Sequence, residues 1–162
     1  MKKVLAIVLS LVMLAACAGC SGGSLDDRMD KKLAKVKNYE DMLKVGAEMA
    51  ETLLNADASE VGVTMSEYHE VNGKDLNYQL RMEDAGVTEF QLWLTGGGGV
   101  TGEEFEEIAA CGIAQFGEGY DYEVGSGLIS AYIVKYQWAH VKMTLNAPSP
   151  NDTGWVVITF TK

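Results

Sequence analysis

Residues 71–94 read VNGKDLNYQLRMEDAGVTEFQLWL, and this stretch decides the fold. Asn72-Gly73 is the strongest hairpin signal in the chain, because a type I′ turn needs positive φ at both central positions and these residues adopt it readily. Beyond the turn, apolar residues alternate with polar ones as in a half-buried strand: Leu76, Tyr78, Leu80 and Met82. A second turn at residues 84–86 precedes a third strand, whose apolar face carries Phe90, Leu92 and Leu94.

The segment before the hairpin changes from a helical to an extended pattern. Residues 28–56 carry apolar side chains mostly three or four positions apart, which predicts helix. Asn38 is a candidate N-cap, since a short polar side chain accepts hydrogen bonds from exposed helix amides. We therefore expect a break near Asn38 and two helices. Residues 61–71 are predicted to be the first strand of the meander.

The segment after the meander repeats this alternation of helix and strands. Thr101 and Glu104 have the spacing of a capping box and predict a helix start. The predicted buried stripe of this helix comprises Phe105, Ile108, Ala109, Gly112, Ile113 and Phe116. Three further strands are expected at residues 128–135, 141–145 and 155–161. Two prolines place a loop at residues 147–152, because proline cannot donate to a sheet.

The predicted order is helix, three strands, helix, three strands. Short connections within each trio imply antiparallel meanders. Amphipathic helices of this kind bury their apolar stripe against one face of a sheet. The sequence therefore predicts an α+β fold, with two three-strand antiparallel meanders and helices packed on a sheet, in a single domain over residues 28–162.

The first 16 residues have the organisation of an export signal. Residues 1–3 (MKK) are positively charged at two positions, and residues 4–16 are apolar except for Ser10. A membrane-spanning helix needs about 20 apolar residues. A run this short after a basic start is typical of a signal peptide.

Leu14-Ala15-Ala16-Cys17 resembles the lipobox of bacterial lipoproteins. The resemblance implies that the signal peptide, residues 1–16, is cut off before Cys17 and that the Cys17 thiol receives a diacylglycerol. Residues 17–27 would then form a flexible tether, and the protein would be extracytoplasmic and membrane-anchored. The alternative is an ordinary secretory signal cut near Ala18.

The charge distribution bears on the partner. The whole chain has a net charge of −10, and residues 45–134 hold 17 acidic and two basic residues, a net of −15. This balance excludes nucleic acid, whose phosphates need a basic surface. It favours a basic protein or peptide, or another envelope component, as partner beside the membrane itself. The alternative is that the acidic residues only provide solubility.

A second charge cluster lies at residues 28–37. This stretch contains five basic residues and the single acid Asp30. It either contacts anionic lipid headgroups near the anchor or is a solvated helix face.

Three motifs that suggest cofactors do not fit their chemistry. Residues 97–102 (GGGVTG) match a dinucleotide fingerprint, but four glutamates at residues 103–107 would repel a pyrophosphate. Residues 55–59 (NADAS) start like a calcium loop whose later glycine and glutamate are missing. Glu67 and His69 share a strand face without a clear third metal ligand. We expect neither a metal nor another cofactor.

Cysteine spacing gives no redox motif. If Cys17 is lipidated, Cys20 and Cys111 remain. They either form a disulfide in an oxidising compartment, or Cys111 packs among its small neighbours.

The leading functional hypothesis is a non-enzymatic binding or interaction domain. Its candidate contact residues are Gly97, Gly98, Tyr120 and Tyr122, because the glycines form a loop that could act as a flap and exposed aromatics mark binding surfaces. The alternation of side chains along a strand does not decide whether four aromatic residues are exposed or buried, because a shift of one residue reverses the two faces. They are Tyr120, Tyr122, Trp93 and Trp138.

Two other functions are retained as alternatives. One is a cell-envelope hydrolase that uses carboxylates, with Glu67, Asp121 and Glu123 as candidates, since general acid–base chemistry needs such groups converging in a pocket. The other is a structural envelope lipoprotein without a small ligand.

Overall fold

A computed structural model describes residues 23–118, 120–121, 130–136, 138–147 and 152–162 of the chain, with only the backbone described at 120–121 and 130–136. The described residues form three helices and seven strands. The helices are α1 (Leu25–Leu33), α2 (Tyr39–Leu53) and α3 (Gly102–Phe116). The strands are β1 (His69–Val71), β2 (Lys74–Glu83), β3 (Gly86–Thr95), β4 (Tyr120–Asp121), β5 (Ser130–Tyr136), β6 (Ala139–Asn146) and β7 (Trp155–Thr161). The fold is α+β, as predicted.

All seven strands belong to one antiparallel sheet in the order β1-β2-β3-β7-β6-β5-β4. The two meanders meet where β3 pairs with β7, with Phe90 opposite Phe160. The three predicted strands of the second meander are present as β5, β6 and β7, and β4 adds a short fourth strand at the edge, Tyr120–Asp121. A strand of two residues has no alternation of its own, so the pattern could not show it.

The predicted hairpin turn is confirmed. Asn72 has φ 49° and Gly73 has φ 74°, and Val71 pairs with Lys74 across the two-residue turn. Both central residues therefore have the positive φ that a type I′ turn requires. This turn fixes the register in which β1 lies against β2.

The predicted strand at residues 61–71 is confirmed only at its end, β1. Met65 still pairs with Gln79 as an isolated bridge, and His69 pairs with Leu76. Three residues (66–68) thus lie opposite two (77–78), which is the arrangement of a β-bulge. The Ser66 hydroxyl accepts a hydrogen bond from the Tyr78 N–H at 2.9 Å. Because the Ser66 hydroxyl accepts this hydrogen bond in place of a backbone carbonyl, the regular ladder between the two strands is interrupted at Ser66.

The predicted break between the first two helices is confirmed at Asn38, whose Oδ1 accepts from the Asp41 N–H at 2.8 Å. Helix α1 begins at Leu25, three residues before the predicted start. The reason is a capping box in which Ser24 and Asp27 satisfy each other's backbone N–H groups.

The capping box of α3 is also confirmed at Thr101 and Glu104. The buried stripe of α3 consists of Phe105, Ile108, Gly112 and Phe116. Ile113 was expected in this stripe and is instead 45% exposed. The buried residues of α3 follow one another at spacings of three or four positions. Residue 113 comes directly after the buried Gly112 and therefore lies beside the buried stripe.

The helices cover one face of the sheet, and the core lies between the two layers. A Cβ on Gly46 of α2 would lie 2.4 Å from Leu92 Cδ1, and one on Gly112 of α3 would lie 2.2 Å from Met143 Cε. Each helix therefore approaches the sheet closely at a glycine. Phe160 contacts Phe90 and Phe116 at ring-centre distances of 5.8 and 5.9 Å, which joins both meanders and α3.

Candidate functional site

A cleft of about 220 Å³ lies between α1 and residues 62–69, the segment beside β2 that contains the bulge and that we call the bulged segment. It is lined by Asp26, Asp27, Asp30, Val63, Met65, Ser66, Glu67 and Tyr78, and we call it the acidic cleft. Four of the eight lining residues carry a carboxylate. The cleft thus combines concentrated negative charge with a small apolar wall.

Helix α1 is held against the bulged segment by two of its aspartates. The Asp26 carboxylate accepts hydrogen bonds from the N–H groups of Gly62 at 2.9 Å and Val63 at 3.4 Å. Asp30 Oδ1 lies 2.8 Å from His69 Nε2. Because residues 26 and 30 are one helical turn apart, both side chains project from the same side of α1. They therefore fix both ends of the contact between helix and sheet edge.

Tyr78 forms the floor of the acidic cleft. Its side chain is fully buried, with its ring 5.8 Å from that of Phe90, and its hydroxyl has no hydrogen-bond partner in the described part of the chain. Burial, reinforced by the charges of Asp26 and Asp30, raises the pKa of Tyr78 to about 12. The hydroxyl is therefore neutral at physiological pH and can still donate and accept a hydrogen bond.

Exposed apolar side chains surround the cleft. Val63, Met65 and Tyr68 are 44%, 52% and 62% exposed. A contiguous segment that presents large apolar groups to solvent is typical of an interaction surface. Here Val63 and Met65 of that segment line the acidic cleft, and Tyr68 follows them in the chain.

Glu67 and His69 do not form the metal pair considered from the sequence. His69 is paired with Asp30. Glu67 is exposed and takes part in no ion pair among the residues that the structure describes. Within those same residues, no group of three or more His, Cys, Asp or Glu side chains is arranged to hold a metal ion.

The candidate contact residues Gly97 and Gly98 lie in an exposed turn between β3 and α3, where residues 96–99 all have positive φ. The buried Lys74 ammonium braces this turn by donating to the Gly99 carbonyl and pairing with Glu104 at 3.1 Å. These contacts disfavour a mobile flap.

The same contacts set the charge state of Glu104. Partial burial acts to raise the pKa of Glu104, but the Thr101 backbone N–H and the Lys74 ammonium outweigh it and hold that pKa below its usual value. The carboxylate therefore stays ionised and keeps Lys74 in place.

We expect Gly97→Ala to destabilise the protein by about 2–3 kcal/mol, because the added Cβ is overpacked and the residue has a left-handed conformation. A Cβ at this position would lie 2.2 Å from the Gly73 carbonyl oxygen. Urea unfolding followed by circular dichroism measures the change.

Gly98→Ala is the matched control for that variant. Its φ is also positive, but a Cβ there meets nothing within 4 Å. We expect a loss of only about 1 kcal/mol from backbone strain. Equal losses in the two variants would show that Gly97 is not needed for close packing against the hairpin.

The remaining candidates are far from the acidic cleft or outside the described residues. Tyr120 lies in β4, four strand spacings from β3, a separation of about 19 Å. It is therefore not brought together with Gly97 and Gly98. Asp121 is on the same edge strand, six spacings or about 29 Å from β1 and the adjoining Glu67. The positions outside the described residues are Cys17, Cys20, Tyr122 and Glu123.

Trp93 and Trp138, whose exposure the sequence does not decide, are both partly buried. Trp93 lies on the sheet face away from the helices and donates from Nε1 to Gln91 Oε1 at 2.8 Å. Trp138 packs against the core. Burial, together with the charges of Glu107 and Glu40, raises the pKa of the Cys111 thiol. A thiol held protonated in this way is a poor nucleophile, in agreement with a packing role.

The sequence did not identify the acidic cleft. Asp26 and Asp27 fell in the expected tether, and Tyr78 was recognised only as a core residue. The spacing of Asp26 and Asp30 was an available signal, because it places two acids on one side of a helix. Nothing in the sequence indicated that the Tyr78 hydroxyl would be without a partner.

Comparisons with protein-family models, curated proteins and solved structures return no match to this chain. None of the helices in the described ranges is long and apolar enough to cross a membrane.

Proposed function

We propose that this protein is a lipid-anchored extracytoplasmic binding domain without catalytic activity, and that it captures a positively charged partner at the acidic cleft. The observation that carries this proposal is the arrangement of Asp26, Asp27, Asp30 and Glu67 around one cavity, whose floor has a buried hydroxyl without a partner among the described residues. A cleft lined by charges of one sign concentrates ligands of the opposite sign. An acidic coat that served solubility alone would have no reason to enclose a cavity.

The orientation of α1 supports an anchored arrangement. Arg28 is exposed, and at 100° per residue it lies about 160°, 100° and 160° around the helix axis from Asp26, Asp27 and Asp30. The helix thus presents this base on the side away from the acidic cleft. If Cys17 carries the lipid, Arg28 can face anionic headgroups while the cleft faces away from them.

The distance from the anchor fits this arrangement as well. Residues 17–24 separate Cys17 from the start of α1. Eight extended residues reach at most about 27 Å. The domain would therefore stay near the membrane surface, where a basic face on α1 is useful.

The hydrolase alternative receives less support. General acid–base catalysis needs its carboxyl groups within reach of one substrate. Glu67 and Asp121 are near opposite edges of the sheet. The aspartates of the cleft are largely engaged, because Asp26 and Asp30 hold the bulged segment and His69.

We expect a lysine-rich decapeptide to bind the full-length protein, purified in a neutral detergent, and to bind at least tenfold more weakly when the salt concentration rises from about 0.05 M to about 1 M. Salt screens attraction between exposed charges, so an electrostatic complex must weaken. Isothermal titration calorimetry measures the affinity.

A pair of charge-matched variants locates the binding. Asp30→Asn combined with Glu67→Gln removes two charges from the acidic cleft and keeps an acceptor for His69. Glu103→Gln combined with Glu106→Gln removes two exposed charges from α3. We expect the first variant to reduce peptide affinity about tenfold and the second to change it less than twofold. Equal effects would show that the peptide senses net charge only, which contradicts the proposal.

A further inference from the structure

We propose that the acidic cleft is a site for a primary ammonium group carried on an aliphatic stem, an inference that rests on the proposed function and specifies its ligand. The cleft has a polar floor with acceptor oxygens and an apolar wall made by Val63 and Met65. A ligand with a cationic head and a short hydrocarbon stem matches both parts.

The acceptors left over in the cleft define the head group. Both oxygens of the Asp26 carboxylate already accept from backbone N–H groups, and Asp27 Oδ2 accepts from the Ser24 N–H. One oxygen of Asp30 is paired with His69. Asp27 Oδ1, Asp30 Oδ2 and both oxygens of Glu67 have no partner given by the contacts of the described residues. A bound cation would therefore find three carboxylates at the cleft with an oxygen that can still accept.

The Tyr78 hydroxyl supplies a neutral acceptor beside these carboxylates. Its side chain is fully buried and lines the cleft, yet its oxygen has no partner among the described residues. A buried polar group without a hydrogen bond is unfavourable, and a ligand that donates to it removes this penalty. An alkylammonium has three N–H donors, so it can donate to this hydroxyl and to carboxylate oxygens of the cleft at the same time.

Other cations fit less well. A quaternary ammonium has no N–H to donate and is normally bound by several aromatic faces, whereas Tyr78 is the one aromatic side chain among the described residues that line the cleft. A guanidinium is planar and its five donors form a rigid fork, whereas the three donors of an ammonium rotate on a compact head toward acceptors on different residues. Within the described residues, no group of three or more His, Cys, Asp or Glu side chains is arranged to hold a metal ion. The distribution of the acceptors over several residues therefore favours a primary ammonium.

The test compares cations that share one stem. n-Butylammonium, n-butylguanidinium and n-butyltrimethylammonium are titrated into the full-length protein in neutral detergent, with binding followed by calorimetry. We expect n-butylammonium to bind about five- to tenfold more tightly than either other cation, since its compact head can donate to the floor hydroxyl and to the carboxylates at the same time. Equal affinities for the three cations would overturn the inference.

Tyr78→Phe isolates the hydroxyl, because it keeps the ring in its contact with Phe90. We expect this variant to bind n-butylammonium about five- to tenfold more weakly and n-butyltrimethylammonium unchanged. Thermal unfolding verifies that the variant is folded. If it is not, Asp30→Asn with Glu67→Gln takes its place and must weaken n-butylammonium binding at least tenfold. An unchanged n-butylammonium affinity in the folded variant would overturn the inference.

The outcomes separate this inference from the proposed function. If the lysine-rich decapeptide binds with the expected salt dependence while n-butylammonium does not bind, the ammonium site is wrong and the general function stands. If n-butylammonium binds while the peptide does not, the site stands and the peptide-capturing function is wrong. If Nα-acetyl-lysine methylamide binds as tightly as n-butylammonium, the natural ligand is a lysine side chain of a protein or peptide. If Nα-acetyl-lysine methylamide does not bind, the natural ligand is a small free amine.

Discussion

Replacing Phe160 with alanine is expected to lower the free energy of unfolding by about 3–5 kcal/mol, the range found for large aromatic side chains removed from a core. Phe160 is fully buried in β7, the strand that joins the two meanders. Its ring contacts Phe90 of β3 and Phe116 of α3. The substitution therefore leaves a cavity where three elements meet, and none of them can close it alone. Urea unfolding followed by circular dichroism measures the loss.

Trp155 provides the control on the same strand. It is 44% exposed, so Trp155→Ala removes a large side chain without opening the core. We expect a change of less than about 1 kcal/mol. Typical domains are stable by only about 5–15 kcal/mol, so the loss in Phe160→Ala should be visible as a large shift of the unfolding midpoint. A loss below about 1 kcal/mol in Phe160→Ala would contradict the central position of β7.

The elements that could be predicted from the sequence are those with a local cause. The turn at Asn72-Gly73 follows from the conformations these two residues adopt, and both have positive φ. The caps at Asn38 and Thr101 follow from short side chains that reach nearby amides. Strands β2, β3, β6 and β7 follow from alternation over several residues, which identifies the buried face.

The elements that could not be predicted depend on contacts between distant residues. Ser66 interrupts the predicted first strand because its hydroxyl receives the N–H of Tyr78, 12 positions away. The sequence predicts Gly97 as a contact residue for a partner, whereas the structure shows that the nearby Gly73 carbonyl of the neighbouring hairpin leaves no room for a side chain there. Neither contact leaves a periodic signal in the sequence.

The acidic cleft lies where the structure departs from the strand predicted by the local sequence pattern. The bulge at residues 66–68 breaks the regular edge, and the preceding segment is held by Asp26 of α1. A tyrosine that alternation assigns to the core thereby lies at the floor of an opening with its hydroxyl unpaired. Departures from local consistency are expected at functional sites, which strengthens the case that this cleft binds a ligand.

Replacing Cys17 with alanine is expected to abolish lipid attachment and to release the protein from the membrane fraction. The proposed anchor is a diacylglycerol on the Cys17 thiol, and two acyl chains hold a protein stably where one gives only marginal binding. Without the anchor, any remaining attraction comes from bases such as Arg28 and Lys31, each worth about 1 kcal/mol near an anionic surface. Mass spectrometry of the N-terminal peptide and cell fractionation measure the two effects.

Cys20→Ala is the matched control, because it removes a thiol three residues away and leaves Leu14-Ala15-Ala16-Cys17 intact. It should keep both the acyl chains and the membrane association. Residual membrane association of Cys17→Ala should disappear in high salt, since salt screens attraction through the basic side of α1. Acyl chains on the N-terminal peptide of Cys17→Ala, or association that resists salt, would show that the anchor lies elsewhere and that the proposed orientation of α1 is wrong.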